Sequence, residues 1–404
     1  MSAMFPAAVN AHSHAFHRVL RGRTHAKTGD FWSWRTQMYA AAQALTPELY
    51  EKLATAVYAE MVTAGYSAVG EFHYLHHRPD GSHYPHHEME FALARAARNA
   101  GIRLTLLDTC YLDGGFGAGT GFGTGGRIPP NPTQLRFSDG DAQSWLSRLV
   151  GLRAAIAEEF DPDFVQVGAA VHSVRAVAPE QLRIIAAELD PALPLHVHLS
   201  EQPQENSDCL AATGLTPTGL LAQAGLLSAR LSAVHATHLT EQDIALLGEA
   251  QATIVMCPTT EADLADGIGP ALELGQAGAG LAIGSDQHAV VDPWQEMRAL
   301  EYGERLRSGV RGRFSSAQLL EIAHDGGLRS LGRNASGDLV EIASDSVRTV
   351  GSRVEQLPMS ATAEDVRSVQ IGGREVARDG VHLKLGAPAG LLAAAIAELD
   401  QVSG

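Results

Sequence analysis

Cysteine is scarce in this sequence, and the three that it has are far apart. Cys110, Cys209 and Cys257 form no C-x-x-C pair, and an odd, dispersed set cannot make a disulfide framework. Few and unpaired cysteines are typical of proteins that work in a reducing compartment. We therefore expect a cytoplasmic protein without disulfides.

Positive charge is also in deficit. Lysine and arginine number 30 against 46 aspartates and glutamates, which gives a formal net charge of −16. Nucleic acids and anionic membrane surfaces attract basic proteins. The charge balance therefore argues against both as partners.

Long apolar runs are missing as well. No run approaches the roughly 20 residues that span a bilayer, and residues 1–9 lack the basic and long apolar segments of a secretory signal. What is present indicates a folded protein, because 45% of the residues are hydrophobic and only 19% are charged. A chain of 404 residues can form one large domain and a small one.

Strand and helix patterns alternate over the first 330 residues. Counting the strand before residue 14, eight strands are predicted, the others at 66–72, 103–109, 164–171, 195–199, 231–235, 252–256 and 281–284. A helical pattern follows each of them. Eight alternating units predict an α/β fold with a parallel sheet closed into a (β/α)8 TIM-type barrel, and a doubly wound open sheet is the alternative.

The pattern changes after Gly332. Short β-like runs follow at 338–342, 347–350, 366–371 and 376–377, and Gly372-Gly373 is a hairpin signal. We expect a barrel over residues 1–332, a small β domain over 333–388 and a C-terminal helix and tail over 389–404.

The first candidate for a functional site is the motif Asn10-Ala11-His12-Ser13-His14. Successive side chains of a strand point to opposite faces, so His12 and His14 share one face. Two imidazoles at this spacing can bind one metal ion, and a catalytic zinc needs about three protein ligands. An H-x-H pair alone is weak evidence, so the remaining ligands should stand at the ends of later strands.

Ionisable residues do stand at most of the predicted strand ends. The active site of such a barrel lies at the carboxyl ends of its strands. Each residue alone has a simpler explanation: a strand-end histidine is usually just hydrogen-bonded, and Asp286 could cap the next helix. The histidines at 76, 77, 83, 86 and 87 are interpreted as a solvated loop. The strand-end residues are Glu71, His73, Tyr74, His172, Arg175, His198, Glu201, His235 and Asp286.

This set resembles the amidohydrolase superfamily, and within it the formimidoylglutamate deiminases. The resemblance extends over about residues 10–333. The sequence motifs on which it rests are NAHSHAF, FWSWR, EFHYLHH, AVHSVR, HVHLSEQ and GSDQH. The resemblance implies a metal-dependent hydrolase barrel. It implies a metal site of His12, His14, His198 and Asp286, with Glu201, His235 and Asp286 as proton-transfer groups. It assigns substrate binding to His17, Arg35, Tyr74, His172 and Arg175. His196 could share the face of His198, and the family spacing to Glu201 favours His198.

The same resemblance bears on the metal count. Two-metal members use a carboxylated lysine at the end of strand four, whereas this chain has only Lys27, Lys52 and Lys384. We expect one divalent ion per chain, with Zn²⁺ first and Fe²⁺ second. The implied reaction is metal-assisted deimination of a small dianionic formimino amino acid, N-formimino-L-glutamate, to N-formyl-L-glutamate and ammonia. We also expect a homodimer.

Two departures from the family pattern stand out. Only eleven residues precede His12, where the family has a longer β segment, and His17 stands where glutamine is expected.

Another deaminase of the superfamily, or an imidazolonepropionase-like hydrolase of cyclic amides, is the enzyme alternative. A metal-binding barrel without activity is the non-enzyme alternative, against which the presence of Glu201 and His235 argues.

Overall fold

The computed structural model describes residues 1–24, 31–117, 126–334 and 337–403. The strands in this part of the chain are β1 (Ser2–Pro6), β2 (Ala8–Ser13), β3 (Tyr66–His73), β4 (Arg103–Cys110), β5 (Gly115–Phe116), β6 (Arg127–Ile128), β7 (Val165–Val171), β8 (Leu195–Leu199), β9 (Leu231–His235), β10 (Thr253–Met256), β11 (Gly280–Ile283), β12 (Leu339–Ala343), β13 (Val366–Ile371), β14 (Arg374–Arg378) and β15 (Val381–His382).

The α-helices of the same residues are α1 (Phe31–Ala44), α2 (Pro47–Ala64), α3 (Glu88–Ala100), α4 (Ala142–Glu159), α5 (Pro179–Glu188), α6 (Pro203–Thr213), α7 (Pro217–Ala224), α8 (Glu241–Glu249), α9 (Pro258–Asp263), α10 (Ala271–Ala277), α11 (Pro293–Ser308), α12 (Ser316–Glu321), α13 (Gly327–Ser330) and α14 (Pro388–Ser403). None of them is long and apolar enough to cross a lipid bilayer.

Eight strands form the predicted barrel. β2, β3, β4, β7, β8, β9, β10 and β11 lie side by side in chain order, all parallel. A parallel bridge between Ser13 and Asp286 joins the ends of the first and last strands. There the backbone N–H of Asp286 donates to the His12 carbonyl at 3.0 Å, and that of His14 donates to the Asp286 carbonyl at 3.1 Å. The barrel is confirmed, and the open sheet is wrong.

The second sheet is antiparallel, in the order β1, β12, β13, β14, β15. β1 pairs with β12, so the residues before the barrel supply an edge strand that the sequence analysis did not predict. Gly372 and Gly373 form the turn of the β13–β14 hairpin, with φ angles of +59° and +72°. This is the hairpin that the two adjacent glycines predict. The strand predicted at 347–350 is wrong: these residues form a turn, and Val347 is 88% exposed.

Local signals explain where α2 begins and ends. The Thr46 side chain accepts a hydrogen bond from Leu49 N at 3.3 Å, and Pro47 occupies the first turn. Gly65 ends the helix with a φ of +107° and leads directly into β3. The elements predicted from the sequence do not include α1 and α6, and both of these helices lie beside the mouth of the barrel.

Gly284 lies where the last strand of the barrel packs against the first, so replacing it tests how tightly the barrel is closed. A Cβ atom there would lie 2.8 Å from His12 Cβ and 2.9 Å from the His12 carbonyl oxygen. We predict that Gly284→Ala pushes β2 from β11 and lowers the free energy of unfolding by about 1–3 kcal/mol, with loss of metal binding. Gly390→Ala is the matched control, because a Cβ at that helical position meets nothing within 4 Å. Equal urea midpoints for both variants would contradict the tight closure.

Candidate active site

Four side chains meet at the carboxyl-terminal mouth of the barrel. His12 and His14 come from the end of β2, His198 from β8, and Asp286 from the turn after β11. Nε2 of His198 lies 3.2 Å from Nε2 of His12 and 3.3 Å from Nε2 of His14. Asp286 Oδ1 lies 3.3 and 3.5 Å from the same atoms of His12 and His14. All four residues are at least nine-tenths buried.

These separations suit a tetrahedral metal site. With metal–nitrogen bonds of about 2.0–2.1 Å, neighbouring ligand atoms are about 3.3–3.4 Å apart. Nδ1 of His14 lies 2.9 Å from the Phe72 carbonyl oxygen, and Nδ1 of His198 lies 3.0 Å from that of His172. Since a carbonyl only accepts, each Nδ1 carries the proton and each Nε2 keeps its lone pair for a metal. The donor set therefore fits a divalent ion.

Burial keeps the three imidazoles neutral. It lowers the pKa of His12 and lowers the pKa of His14 and His198 well below the ordinary value. Burial alone would raise the pKa of Asp286, but its hydrogen-bond contact with His12 holds that pKa below the usual range. At neutral pH the site offers three neutral nitrogens and one carboxylate.

A proton-transfer group adjoins the donor set. Nε2 of His235 lies 3.8 Å from Glu201 Oε1 and 3.8 Å from Asp286 Oδ2. Across the ring, Nδ1 lies 3.4 Å from Glu261 Oε1, which also accepts from the backbone N–H of Cys257 at 2.9 Å. Burial opposes protonation of His235, but Glu201 and Glu261 outweigh it and raise its pKa to about 10. Burial raises the pKa of Glu201 above its ordinary value, and the neighbouring His235 opposes this shift.

The backbone at three of these strand ends is left-handed. The φ angle is +51° at Ser200, +68° at His235 and +43° at Asp286. Such conformations cost non-glycine residues about 1–3 kcal/mol each and persist only where the surrounding structure enforces them. Their position beside the donor set supports this mouth as the functional site.

The predicted substrate-binding residues line one pocket with the donor set. His17, Arg35, Tyr74, His172 and Arg175 all contribute to its wall. Arg35 Nε donates to the hydroxyl of Tyr39 at 2.8 Å. Arg175 Nη1 is buried and has no hydrogen-bond partner. A buried guanidinium nitrogen without a partner is costly, so this position favours an anion.

His17 is a neutral member of this wall. Its Nε2 lies 3.0 Å from the Tyr74 hydroxyl, and burial lowers its pKa to about 3. Nδ1 is buried and has no partner. A neutral imidazole offers one donor and one acceptor, as the two ends of a glutamine side chain do.

The structure also adds residues that the sequence analysis missed. Tyr39 and Tyr111 line the pocket, as does Glu205, whose burial raises its pKa to about 7. Tyr39 lies one helical turn after Arg35, and Tyr111 directly follows β4, so helix spacing and strand-end position could have indicated both. Glu261 follows β10 in the run Cys-Pro-Thr-Thr-Glu, and its partner His235 is distant in sequence.

The packing shows where His196 lies and whether the histidines of the predicted solvated loop are exposed. His196 lies deeper in the barrel, with Nε2 2.8 Å from the Ser330 carbonyl oxygen, and does not join the donor set. The solvated-loop interpretation is wrong for His76 and His77, which are 2% exposed. His76 Nδ1 lies 2.9 Å from a Glu90 oxygen that also binds Arg148, so the carboxylate is already neutralised by a fixed cation.

Comparison with known proteins agrees with this geometry. The Amidohydrolase family model matches residues 3–341. The chain is 36% identical to formimidoylglutamate deiminase of Pseudomonas aeruginosa, over 94% of this chain and 86% of that protein. It is 30% identical to 8-oxoguanine deaminase of the same species, over 92% of this chain and 81% of that protein.

Solved structures show the same likeness. An amidohydrolase from Brucella melitensis has a TM-score of 0.88 at 32% identity, covering 98% of this chain and 89% of that one. An adenosine deaminase from Xanthomonas campestris with bound zinc has a TM-score of 0.82 at 25% identity, covering 99% and 86%.

Proposed function

The chain belongs to the amidohydrolase family, and we propose that it deiminates N-formimino-L-glutamate to N-formyl-L-glutamate and ammonia, a reaction of histidine degradation. Its similarity to deaminases makes it a hydrolase of carbon–nitrogen bonds. The choice of substrate rests on the pocket.

One observation carries this choice: the pocket that contains the donor set is lined by two arginines as well as by carboxylates. Arg175, whose buried Nη1 has no partner, and Arg35 line it together with Glu201, Glu205 and Asp286. A formimino group is basic and becomes cationic on protonation, and glutamate carries two carboxylates. A guanidinium binds a carboxylate through two parallel hydrogen bonds. The substrate therefore matches the charged groups that line the pocket.

The metal proposal follows from the donor set. His12, His14 and His198, with Asp286 beside the first two, would hold one divalent ion, most suitably zinc by ligand type, with iron as the alternative. His172, not a lysine, follows β7, the place where a bridging ligand for a second ion would be required. The bound ion would lower the pKa of a water molecule to about 7 and so supply hydroxide at neutral pH.

The proton-transfer residues complete the reaction. Glu201 donates a proton to the imino nitrogen, which makes the formimino carbon electrophilic. Asp286 and His235 orient the attacking water, and its protons pass to the departing nitrogen by way of Glu201. The carbon–nitrogen bond breaks, ammonia leaves, and the formyl oxygen comes from water.

A ring deaminase is the second candidate, because one part of the pocket wall is aromatic. Trp34, Tyr111 and Phe137 line it, and a planar ring could stack there. Such a substrate has no carboxylate for Arg175. Ammonia release from formimino amino acids and from ring amines, measured side by side, distinguishes the two candidates.

Metal content provides the first test. Purified protein should contain about one divalent ion per chain, and thorough chelation should abolish ammonia release until a metal is restored. Two tightly bound ions per chain, or full activity after chelation, would contradict the single site.

Replacement of Glu201 tests the proton carrier. Glu201→Gln keeps the shape of the side chain but cannot carry a proton, so we expect kcat to fall by about 100- to 10,000-fold with metal content unchanged. Glu241→Gln, at an exposed position at the start of α8, is the control and should behave as wild type. A Glu201 variant with kcat within a few-fold of wild type would rule out this role.

Replacement of Arg175 tests the dianionic substrate. Arg175→Met should lower kcat/KM on N-formimino-L-glutamate by about 10- to 100-fold, because a charge-assisted interaction is lost. Turnover of an analogue without the matching carboxylate, such as N-formimino-4-aminobutyrate or N-formimino-L-2-aminobutyrate, should change by less than about threefold. Equal losses on all three compounds would make Arg175 a structural residue.

A further inference from the structure

We propose that Tyr39 and Tyr111 form a carboxylate clamp with Arg175, and that Gln134 directs their hydroxyl protons toward the ligand. This inference rests on the proposed function, because the carboxylate is taken to be one of the two on a formimino amino acid. The structure supports it by an argument about hydrogen-bond polarity.

The orientation of the Gln134 amide is fixed. Gln134 is buried, and its Oε1 lies 2.9 Å from the backbone nitrogen of Asn131. A backbone N–H can only donate, so the atom facing it must be the amide oxygen. The NH₂ group therefore faces the opposite side.

On that side, the NH₂ group serves both tyrosines. Gln134 Nε2 lies 3.0 Å from the hydroxyl oxygen of Tyr39 and 2.7 Å from that of Tyr111. An amide nitrogen has no lone pair to offer, so both hydroxyl oxygens must accept. The Tyr39 oxygen also accepts from Arg35 Nε at 2.8 Å.

Each hydroxyl proton is therefore left for another acceptor. Within the described residues, neither Tyr39 nor Tyr111 donates to any protein group. Burial raises the pKa of Tyr39 to about 12, so its hydroxyl remains a donor at neutral pH. Both residues line the pocket that contains Arg175, whose buried Nη1 also has no partner. Two neutral donors and one cationic donor in one wall match the lone pairs of a carboxylate.

Removal of each hydroxyl tests the clamp. Tyr39→Phe and Tyr111→Phe should each lower kcat/KM on N-formimino-L-glutamate by about 10- to 100-fold, mainly through KM, because a hydrogen bond to a charged group is lost. The same fold-loss should persist on the analogue that keeps the recognised carboxylate and vanish on the one that lacks it. Tyr66→Phe, which removes a buried hydroxyl with no partner at the start of β3, is the control and should change kcat/KM by less than about twofold.

Two replacements of Gln134 distinguish the effect of its hydrogen-bonding group from the effect of the space that its side chain fills. Gln134→Met fills similar space and leaves both hydroxyl protons free, so it should cost less than about fivefold in kcat/KM. Gln134→Glu presents an acceptor that draws these protons away from the ligand, so it should cost at least about tenfold more than Gln134→Met. Equal losses for the two variants, both folded by thermal unfolding, would overturn the role of Gln134.

Binding of glutarate, a dicarboxylate without a formimino group, tests the clamp without relying on turnover. By calorimetry, the metal-loaded wild type should bind glutarate, and Tyr39→Phe and Tyr111→Phe should weaken that binding about tenfold or more. If the protein turns over only ring amines while glutarate binding follows this pattern, the proposed substrate fails and the clamp stands. Absence of glutarate binding by the wild type, or equal binding by the variants, would overturn the clamp.

Discussion

The site depends on one electrostatic constraint: an ionised carboxylate is held among imidazoles that burial keeps neutral. Asp286 lies within 3.5 Å of His12 and His14, and the whole group is shielded from solvent. An ionised group in such surroundings needs a counter-charge, which a divalent ion among the Nε2 atoms would supply. The backbone carbonyls that fix His14 and His198 direct their lone pairs toward that same point.

The constraint extends into the scaffold through the reverse face of β2. Ser13 points away from the donor set, as strand alternation predicts, and its hydroxyl donates to Glu71 at 2.7 Å. The other Glu71 oxygen accepts from the backbone N–H of Ala15 at 2.6 Å, so one buried carboxylate secures both sides of His14. Glu261, on α9 just after β10, contacts the His235 ring directly, with its Oε1 3.4 Å from Nδ1. Buried acidic residues thus support the strand end that carries His14 and the ring of His235.

Much of this could be predicted from the sequence, because strand alternation and strand ends are local signals. The eight barrel strands and the convergence of His12, His198 and Asp286 follow from them. Pairings between distant segments could not be predicted: β1 with β12, or Gln134 with the hydroxyls of Tyr39 and Tyr111. The burial of His76 is another such case, since its partners are Glu90 on α3 and the Thr109 carbonyl oxygen on β4, whereas composition alone suggests a solvated loop.

His17 shows how burial changes the meaning of a substitution. In water a histidine is a titrating group, and its exchange for glutamine would change the charge of the pocket near pH 6.5. Within this pocket its pKa is lowered to about 3, so it remains a neutral donor–acceptor pair that contacts Tyr74. The charge of the pocket is therefore unaffected by this departure from the family pattern. Arg35 and Arg175 place positive charge in the pocket of a protein whose formal net charge is −16, so the local field there differs from the one that the net charge alone would give.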